Sequence, residues 1–394
     1  MSSAEREGLR LKGNVPNLRF PGFSGEWERI RLAEVSNIKT GPFGSTLHAE
    51  DYVSEGTPII TTEHFKNGRL PITKDGLPQV SQIDYQRLKS YRLLKKDIVF
   101  SRVGSVDINA IVEGEQEGWL FSGRVLRVRP TEGIDSDFLH WCLSTDKNRA
   151  NITRRAVGQT MPSINTEILN ETELLITKNV HEQKKIATFL SIIDQHIYIQ
   201  SKVIEKYESL IKALYESLIS CKGVNSVQLG SLVQICKGKQ LNAELLSETG
   251  LYYVMNGGIF PSGYYDTYNT PQDIISISEG GNSCGYVQFN HKPFWSGGHC
   301  YTLLNPNENK VHYKYLFHFL KCHQDDIMAL RIGSGLPNIQ KKDIEKYPIA
   351  LPKYETQVQL ASLFDTINCK KENGIESLRQ YKRMKSFLLS ELFI

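Results

Sequence analysis

The chain has 394 residues, 40% hydrophobic and 23% charged, with a formal net charge of +4. These values exclude a disordered chain and leave room for two or three domains, each with its own core. No run approaches the ~18–20 apolar residues that a transmembrane helix needs. The charged, polar Met1–Asn14 lacks the apolar core of a signal peptide, so a cytoplasmic protein with no membrane partner is expected.

Residues 1–26 read as an N-terminal leader segment whose Val15–Phe23 end is turn-rich. Phe20, Phe23 and Trp27 are expected to pin it to the first domain, 27–180. That domain opens with Ile30, Leu32, Val35 and Ile38 before Lys39-Thr40-Gly41. The same pattern returns 197 residues later as Val227, Leu229, Leu232 and Ile235 before Cys236-Lys237-Gly238. Asp97–Gly104 is a buried strand running into a glycine turn and matches Asp273–Gly280. Phe121-Ser122-Gly123 matches Trp295-Ser296-Gly297, and the short amphipathic helix at Phe138–Leu143 matches Tyr315–Leu320. Val157–Ile164 and Ile332–Ile339 share a Gly-x-x-x-Pro-x-Ile turn, and Leu174–Ile176 and Ile349–Leu351 are exit strands. A repeat of half the chain implies an old duplication rather than a solenoid. Strands and helices mix without βαβ alternation, which predicts α+β domains.

Each half ends in a long helix, predicted at 181–220 and 354–394, with a linker at 221–226 and a second domain at 227–353. In the first helix Ile186, Leu190, Ile193, Ile197, Gln200, Ile204, Tyr207, Ile211, Leu214 and Leu218 recur at steps of four and three, a coiled-coil seam. Adding 174 gives Leu360, Phe364, Ile367, Lys371, Gly374, Leu378, Tyr381, Lys385, Leu388 and Leu392. The heptads alone allow a homodimer, whereas the duplication favours an antiparallel pair within one chain. Lys371, Gly374 and Lys385 interrupt the second seam, and Gly374 costs roughly 1 kcal/mol relative to alanine. A bend or loosened packing is expected there, with the first helix the firmer.

The catalytic motifs all fail. Gly281-Asn282-Ser283-Cys284-Gly285 has the G-x-S-x-G form, but the strand-like Tyr286–Phe289 follows where a nucleophile elbow needs a helix. His181-Glu182 opens like a zincin helix, but Lys185 stands where the second histidine belongs. His318, Cys322 and His323 lack a second pair to complete a zinc site. Asn305-Pro306-Asn307-Glu308 is not an N-P-P-Y motif, and no glycine-rich cofactor loop or P-loop occurs. The seven cysteines are scattered with no C-x-x-C pair, which predicts reduced core thiols. No catalytic residue, metal site or bound cofactor is expected.

Residues 27–180 hold twelve arginines. In Arg124–Arg129 the two-residue strand period sets Arg127 and Arg129 on one face, opposite Leu126 and Val128. Arginine forks suit phosphates and guanine edges, although a solvated charged face accounts for each one equally. Residues 227–353 hold only Arg331, among Asn256, Gln240, Asn282, Asn338 and tyrosines 252, 253, 264, 265 and 268. Asn and Gln pair bidentately with adenine, and many of the tyrosines serve packing. One scaffold with two surface chemistries suggests two readers of different targets. DNA contacts are expected at Arg102, Arg124, Arg127, Arg154, Arg155, Gln159 and Ser163, and at Lys239, Asn256, Asn282, Arg331 and Asn338. The glycine-proline turns are either positioning elements for backbone contact or turns only.

The chain resembles the specificity subunit of type I restriction–modification enzymes over its whole length. The resemblance rests on Leu18-Arg19-Phe20-Pro21-Gly22-Phe23 before Glu26-Trp27-Glu28, the two Gly-x-x-x-Pro-x-Ile turns, and Glu182-Gln183-x-x-Ile-Ala entering the first helix. The second copy departs with Thr356-Gln357 and Leu360. The resemblance implies two similar mixed α/β target-recognition domains separated by two long helices packed as an antiparallel coiled coil. At ~1.5 Å per residue, forty helical residues reach ~60 Å, a spacer between the halves of a bipartite, asymmetric DNA target. The implied partners are double-stranded DNA, two modification subunits that methylate adenine, and restriction subunits. S-adenosylmethionine, ATP and Mg belong to those partners. The rivals are a self-sufficient methyltransferase or nuclease with a duplicated body, and a coiled-coil assembly adaptor.

Overall fold

The computed structural model describes residues 13–42, 46–219, 225–333, 335 and 337–394. The chain divides into two compact units, 1–199 with 377–394, and 200–376, so each long helix contributes to both.

In unit 1 the strands are β1 (Glu28–Arg31), β2 (Ser36–Thr40), β3 (Tyr52–Val53), β4 (Thr57–Ile60), β5 (Gln79–Val80), β6 (Ile98–Ser101), β7 (Asn109–Ile111), β8 (Leu120–Phe121), β9 (Val125–Pro130) and β10 (Glu173–Ile176). They form sheets ordered β1-β10, β2-β9-β6-β7 and β3-β5-β4-β8. The longer helices are α1 (Ser136–Leu143), α2 (Asp146–Arg155) and the start of α3 (Val180–Ile219), beside three short ones, Leu32–Val35, Gln82–Arg87 and Thr166–Asn170. In unit 2 the strands are β11 (Asn225–Gln228), β12 (Gln234–Lys237), β13 (Tyr252–Met255), β14 (Gly263–Tyr265), β15 (Ile274–Ser278), β16 (Val287–Asn290), β17 (Trp295–Ser296), β18 (Cys300–Leu304) and β19 (Pro348–Leu351). They are ordered β11-β19, β12-β18-β15-β16 and β14-β13-β17, with α4 (Tyr313–Cys322), α5 (Gln324–Ala329) and α6 (Tyr354–Leu392) alongside. Each unit therefore has an antiparallel closing pair, a four-stranded antiparallel sheet and a small sheet containing one parallel pair, β4-β8 or β13-β17. Strand β11 begins inside the expected 221–226 linker, whose first four residues lie outside the described residues, as does Leu336 of the second glycine-proline turn.

The repeat register differs by one residue from the sequence match at β6 and β15, and also at β8 and β17, where Phe121 corresponds to Ser296 and not to Trp295. Gly41 N donates to Val125 O and Gly238 N to Cys300 O, which aligns β9 with β18. Val128 then pairs with Ile98 and its counterpart Leu303 with Ile275, so Ile98 corresponds to Ile275 and Arg102 to Glu279. The left-handed residues before the strands, Lys96 (φ 70°) and Asp273 (φ 59°), fall into line with this. Asp97 is buried against Arg129 at 2.6 and 2.7 Å, while Asp273 is exposed at a strand entry.

The main sheet of unit 1 is covered on both faces. Ile98, Phe100, Leu126 and Val128 join a core with Trp27, Phe138, Leu190 and Leu388. Val99 and Val125 face a second core with Ile60, Phe65 and Phe121. Residues 1–12 of the leader lie outside the described residues; its end packs on unit 1, where Leu18 N donates to Glu391 O and Phe20 meets Phe189 of α3 edge-on. Arg19 clasps the buried Glu182 with both ends of its fork, at 2.6 and 2.9 Å. Thr356 takes the place of Glu182 in the second copy, where the described residues include no second leader arginine to pair.

Gln183 and Gln357 repeat faithfully. Gln183 accepts from Asp135 N at the start of α1 and donates to Thr177 O and Gly133 O. Gln357 accepts from His312 N at the start of α4 and donates to Lys310 O and Pro352 O. Both are fully buried.

Along the helices Ile186, Leu190, Ile193, Ile204, Phe364, Ile367 and Leu388 are buried, and Ile197, Leu214, Leu360 and Leu378 are half-buried. Rising numbers on α3 meet falling numbers on α6 within each unit: His196 stacks on Tyr381 in unit 1, and Gln200 meets Gly374 in unit 2. The interruption expected at Gly374 does not occur. The helix runs unbroken, and a methyl group at Gly374 would lie 2.6 Å from Gln200 Nε2 and 3.4 Å from Ile204. Glycine is there for close packing. Lys385 is no defect either, since its ammonium pairs with Asp194 at 2.5 Å and sits over the Trp141 ring.

The cysteines are not all core thiols. Cys142, Cys284 and Cys300 are buried, whereas Cys322 and Cys369 are exposed. His318 Nε2 lies 2.8 Å from Asp365, and His323 Nδ1 contacts Phe319 O, so the two histidines serve the packing of α4. No helix among the described residues is long and apolar enough to cross a membrane.

Candidate nucleic-acid interface

In both units the same main-chain ladder gathers distant segments at one end of the four-stranded sheet, the edge just beyond the last residue of the inner strands β6 and β15. In unit 1, Arg102 N donates to Arg124 O, Ile164 N to Arg102 O and Gly104 N to Pro162 O, at 2.8 to 3.0 Å. In unit 2, Glu279 N donates to His299 O, Ile339 N to Glu279 O and Gly281 N to Pro337 O, at 2.9 to 3.0 Å. Each glycine-proline turn is closed by a reciprocal backbone pair, Val157 with Ser163 and Ile332 with Asn338. Gly158 and Gly333 have φ near +100°, a conformation that favours glycine, and a side chain at Gly158 would strike Met161 O.

The edge of unit 1 brings together Arg102, Arg124, Gln159 and Ser163. The Arg102 guanidinium donates to Gly123 O and Ile164 O and so binds the turns together. Ser163 Oγ donates back to Val157 O. Arg124 and Gln159 are exposed, as are the apolar Val157 and Met161.

Three expected contacts are not at this edge. Arg127 is 4% exposed and donates to Asn37 Oδ1, while its neighbour on the same face, Arg129, is spent on Asp97. The alternation identified a shared face, but that face is covered by the small sheet. Arg155 pairs with Glu171 at 2.5 Å and donates to Ile168 O. Arg154 is exposed on α2 and lines a groove with Arg29 and Glu173, away from the glycine-proline turn.

The edge of unit 2 gathers Lys239, Asn256, Asn282, Arg331 and Asn338. Lys239 N donates to Ser296 O, Asn256 Oδ1 accepts from His299 N, and Gln340 donates to Asn338 Oδ1. Lys239, Asn282, Arg331 and Asn338 are exposed, and Asn256 is half-buried. At the rung held by Arg102 in unit 1 stands Glu279, an inversion of charge. Its Oε1 accepts from Lys237 Nζ (2.5 Å) and Tyr301 Oη (3.1 Å). Its Oε2 is buried and accepts no hydrogen bond among the described residues, with His299 Nδ1 3.4 Å away. Burial, and then the Glu279 charge, push the Tyr301 hydroxyl well above its usual range, so it stays a donor. Glu279, His299 and Lys237 were not singled out from the sequence. The repeat would have shown Glu279 opposite Arg102 had its register been read one residue further along.

Two stretches, residues 24–209 and 222–377, match the model of the type I restriction modification DNA specificity domain. The chain belongs to that family. A Methanocaldococcus jannaschii protein named as the MjaX specificity subunit is 26% identical over 93% of both chains. A Mycoplasma genitalium protein named as a type I specificity subunit is 26% identical over 66% of this chain and 71% of its own. A Mycoplasma pneumoniae protein of the same description is 32% identical, and the chain spans 44% of its length. The fold is that of the crystal structure of the M. genitalium S subunit, with a TM-score of 0.72 at 20% identity over 96% of this chain and 99% of that one. A chain from a structure of complex assembly and conformational transition in a type I system gives a TM-score of 0.51 at 16% identity, with the same coverage.

Proposed function

We propose that the chain reads a bipartite, asymmetric DNA target, one half-site per unit, and places two adenine-methylating modification subunits and the restriction subunits on it. The chain is non-catalytic in this reading. S-adenosylmethionine, ATP and Mg serve the partners, and the two long helices act as the spacer. The observation that carries the reading is the ladder present twice, with Arg124 and Gln159 exposed on it in one copy and Lys239, Asn282, Arg331 and Asn338 in the other. Arg forks suit guanine and phosphate, and Asn suits adenine. The domain limits 27–180 and 227–353 belong to this proposal.

The test is an exchange. Replacing residues 27–180 by the first domain of another family member, and mapping methylated sites across a genome, is expected to change one half-site and leave the other. A change in both half-sites, or in neither, overturns the two-reader reading. Within the first domain, Arg124→Ala is expected to weaken DNA binding and lower the slope of log affinity against log salt by about 1, with no change in melting temperature. Arg127→Ala should do the reverse, costing roughly 1–3 kcal/mol of stability with the salt slope intact. Equal salt slopes for wild type and the Arg124 variant would remove Arg124 from the contact surface.

A further inference from the structure

Phe65 and Phe260 each stand five residues beyond a corresponding strand of the small sheets, β4 and β13, and their fates are opposite. Phe65 is fully buried in the second core of unit 1, whereas Phe260 is 79% exposed. Phe260 lies in the loop 256–262 between β13 and β14, which carries two more apolar residues beside it, Ile259 and Pro261. Ile259 is itself 43% exposed. Leaving such a cluster in water has no folding benefit, and exposed apolar groups massed at one point mark a contact surface.

The root of this loop is fixed to the edge described above. Ser262 N donates to Val254 O, and Ser278 Oγ donates to Gly257 O at 2.6 Å. Asn256 Oδ1 accepts from His299 N. Gly257, at φ +82°, passes so near that a methyl group would lie 3.0 Å from His299 Cβ and 3.4 Å from Gly280 O. The apolar tip therefore rises from the same edge that carries the exposed cations Lys239 and Arg331 and the polar His299, Asn282 and Asn338. A protein partner would meet an apolar patch with a charged fringe of either sign. A rim of cations and amides complements phosphates and base edges.

We propose that Phe260 is a wedge by which unit 2 enters DNA, pressing its ring into a base step of its half-site while the polar rim reads the neighbouring edges. Apolar side chains used this way part-unstack a step and let the duplex bend onto more protein surface. Steps that unstack easily, pyrimidine–purine above all, accept the ring at least cost, so the wedge selects sequence without a hydrogen bond. Unit 1 places its own phenylalanine inside its core and has no such device at this position. The inference rests on the reading of the unit 2 edge as a DNA contact surface.

The test uses the full chain assembled with its modification subunits and duplexes carrying the methylome-defined target. 2-Aminopurine is placed in turn at each step of the second half-site. Wild type is expected to raise the fluorescence at one step. Phe260→Ala should abolish that rise and bind roughly tenfold or more weakly. Phe260→Leu should keep part of both effects, and first-half-site discrimination and melting temperature should be unchanged. If Phe260→Ala binds like wild type while Asn282→Ala or Asn338→Ala weakens the second half-site, the wedge is wrong and the edge still reads DNA. If none of the three variants alters the second half-site, the reading of the edge falls, and the wedge with it.

Discussion

Asp194→Ala is expected to lower the stability of unit 1 by about 3 kcal/mol, seen as an earlier melt in tryptophan fluorescence from Trp27 and Trp141. Asp194, on α3, receives Lys385 from α6 on one oxygen and Arg69 from the recognition domain on the other. Arg69 also lies 4.6 Å over the Tyr198 ring, and Lys385 the same distance from that of Trp141. Removing the carboxylate leaves two cations in a confined site with no anion between them. Breaking a buried pair in this way costs ~3–5 kcal/mol, and the lower end applies because the cations keep 33% and 26% of their side-chain surface in water. An unchanged melt would mean that the site is solvated enough to be indifferent to the carboxylate.

The same residue sets a pH dependence. Burial alone would raise the Asp194 carboxyl, but the Lys385 charge and hydrogen bond, and then Arg69, more than reverse this and hold it below the ordinary range. A carboxylate depressed on folding contributes in full above its unfolded value, near 3.9, and that contribution is lost as pH falls through the folded value. The difference between wild type and Asp194→Ala should therefore be complete at neutral pH and shrink only below about pH 4.

Gln183→Ala and Gln357→Ala are each expected to cost about 3 kcal/mol in their own unit. Each glutamine accepts from one helix-start N–H and donates to two carbonyls, and truncation strands buried backbone groups at ~1–3 kcal/mol apiece. Glutamate is the sharper probe. It keeps the shape and the acceptor but directs a second oxygen at two carbonyls, so Gln183→Glu should be at least as damaging as alanine. Denaturant melts comparing the three side chains at each position decide this. If glutamate restores wild-type stability, the side chain acts by shape alone and the hydrogen bonds described are not what matters.

The seam was legible because heptad spacing is a local property of sequence, and so was the duplication, since turns and exit strands recur in order. What was hidden depended on a third element. Arg127 was placed on the correct side of its strand, but period two cannot say whether that side meets water or a second sheet. Gly374 was judged by helix propensity, whereas its neighbour across the seam, Gln200, is what requires a glycine. The register of β6 against β15 slipped because Asp97 and Asp273, each next to the first isoleucine of its strand, offered a false marker, although the alternation Ile275-Ser276-Ile277-Ser278 was there to be read. That single slip concealed Glu279, the residue in which the two edges differ most.

The ladder at those edges has the same N–H and C=O rungs in both units, while different side chains brace it, Arg102 in one and Tyr301 with Glu279 in the other. Arg102 and Glu279 occupy one rung and differ by two units of charge, yet the bonds that hold the turns match within a few tenths of an ångström. The alphabet of such a protein is thus uncoupled from its grammar. On the proposed reading, a substitution at an exposed position beside a rung, such as Arg124, Asn282 or Asn338, changes what is read while the main-chain ladder stays, so a target can change in single steps.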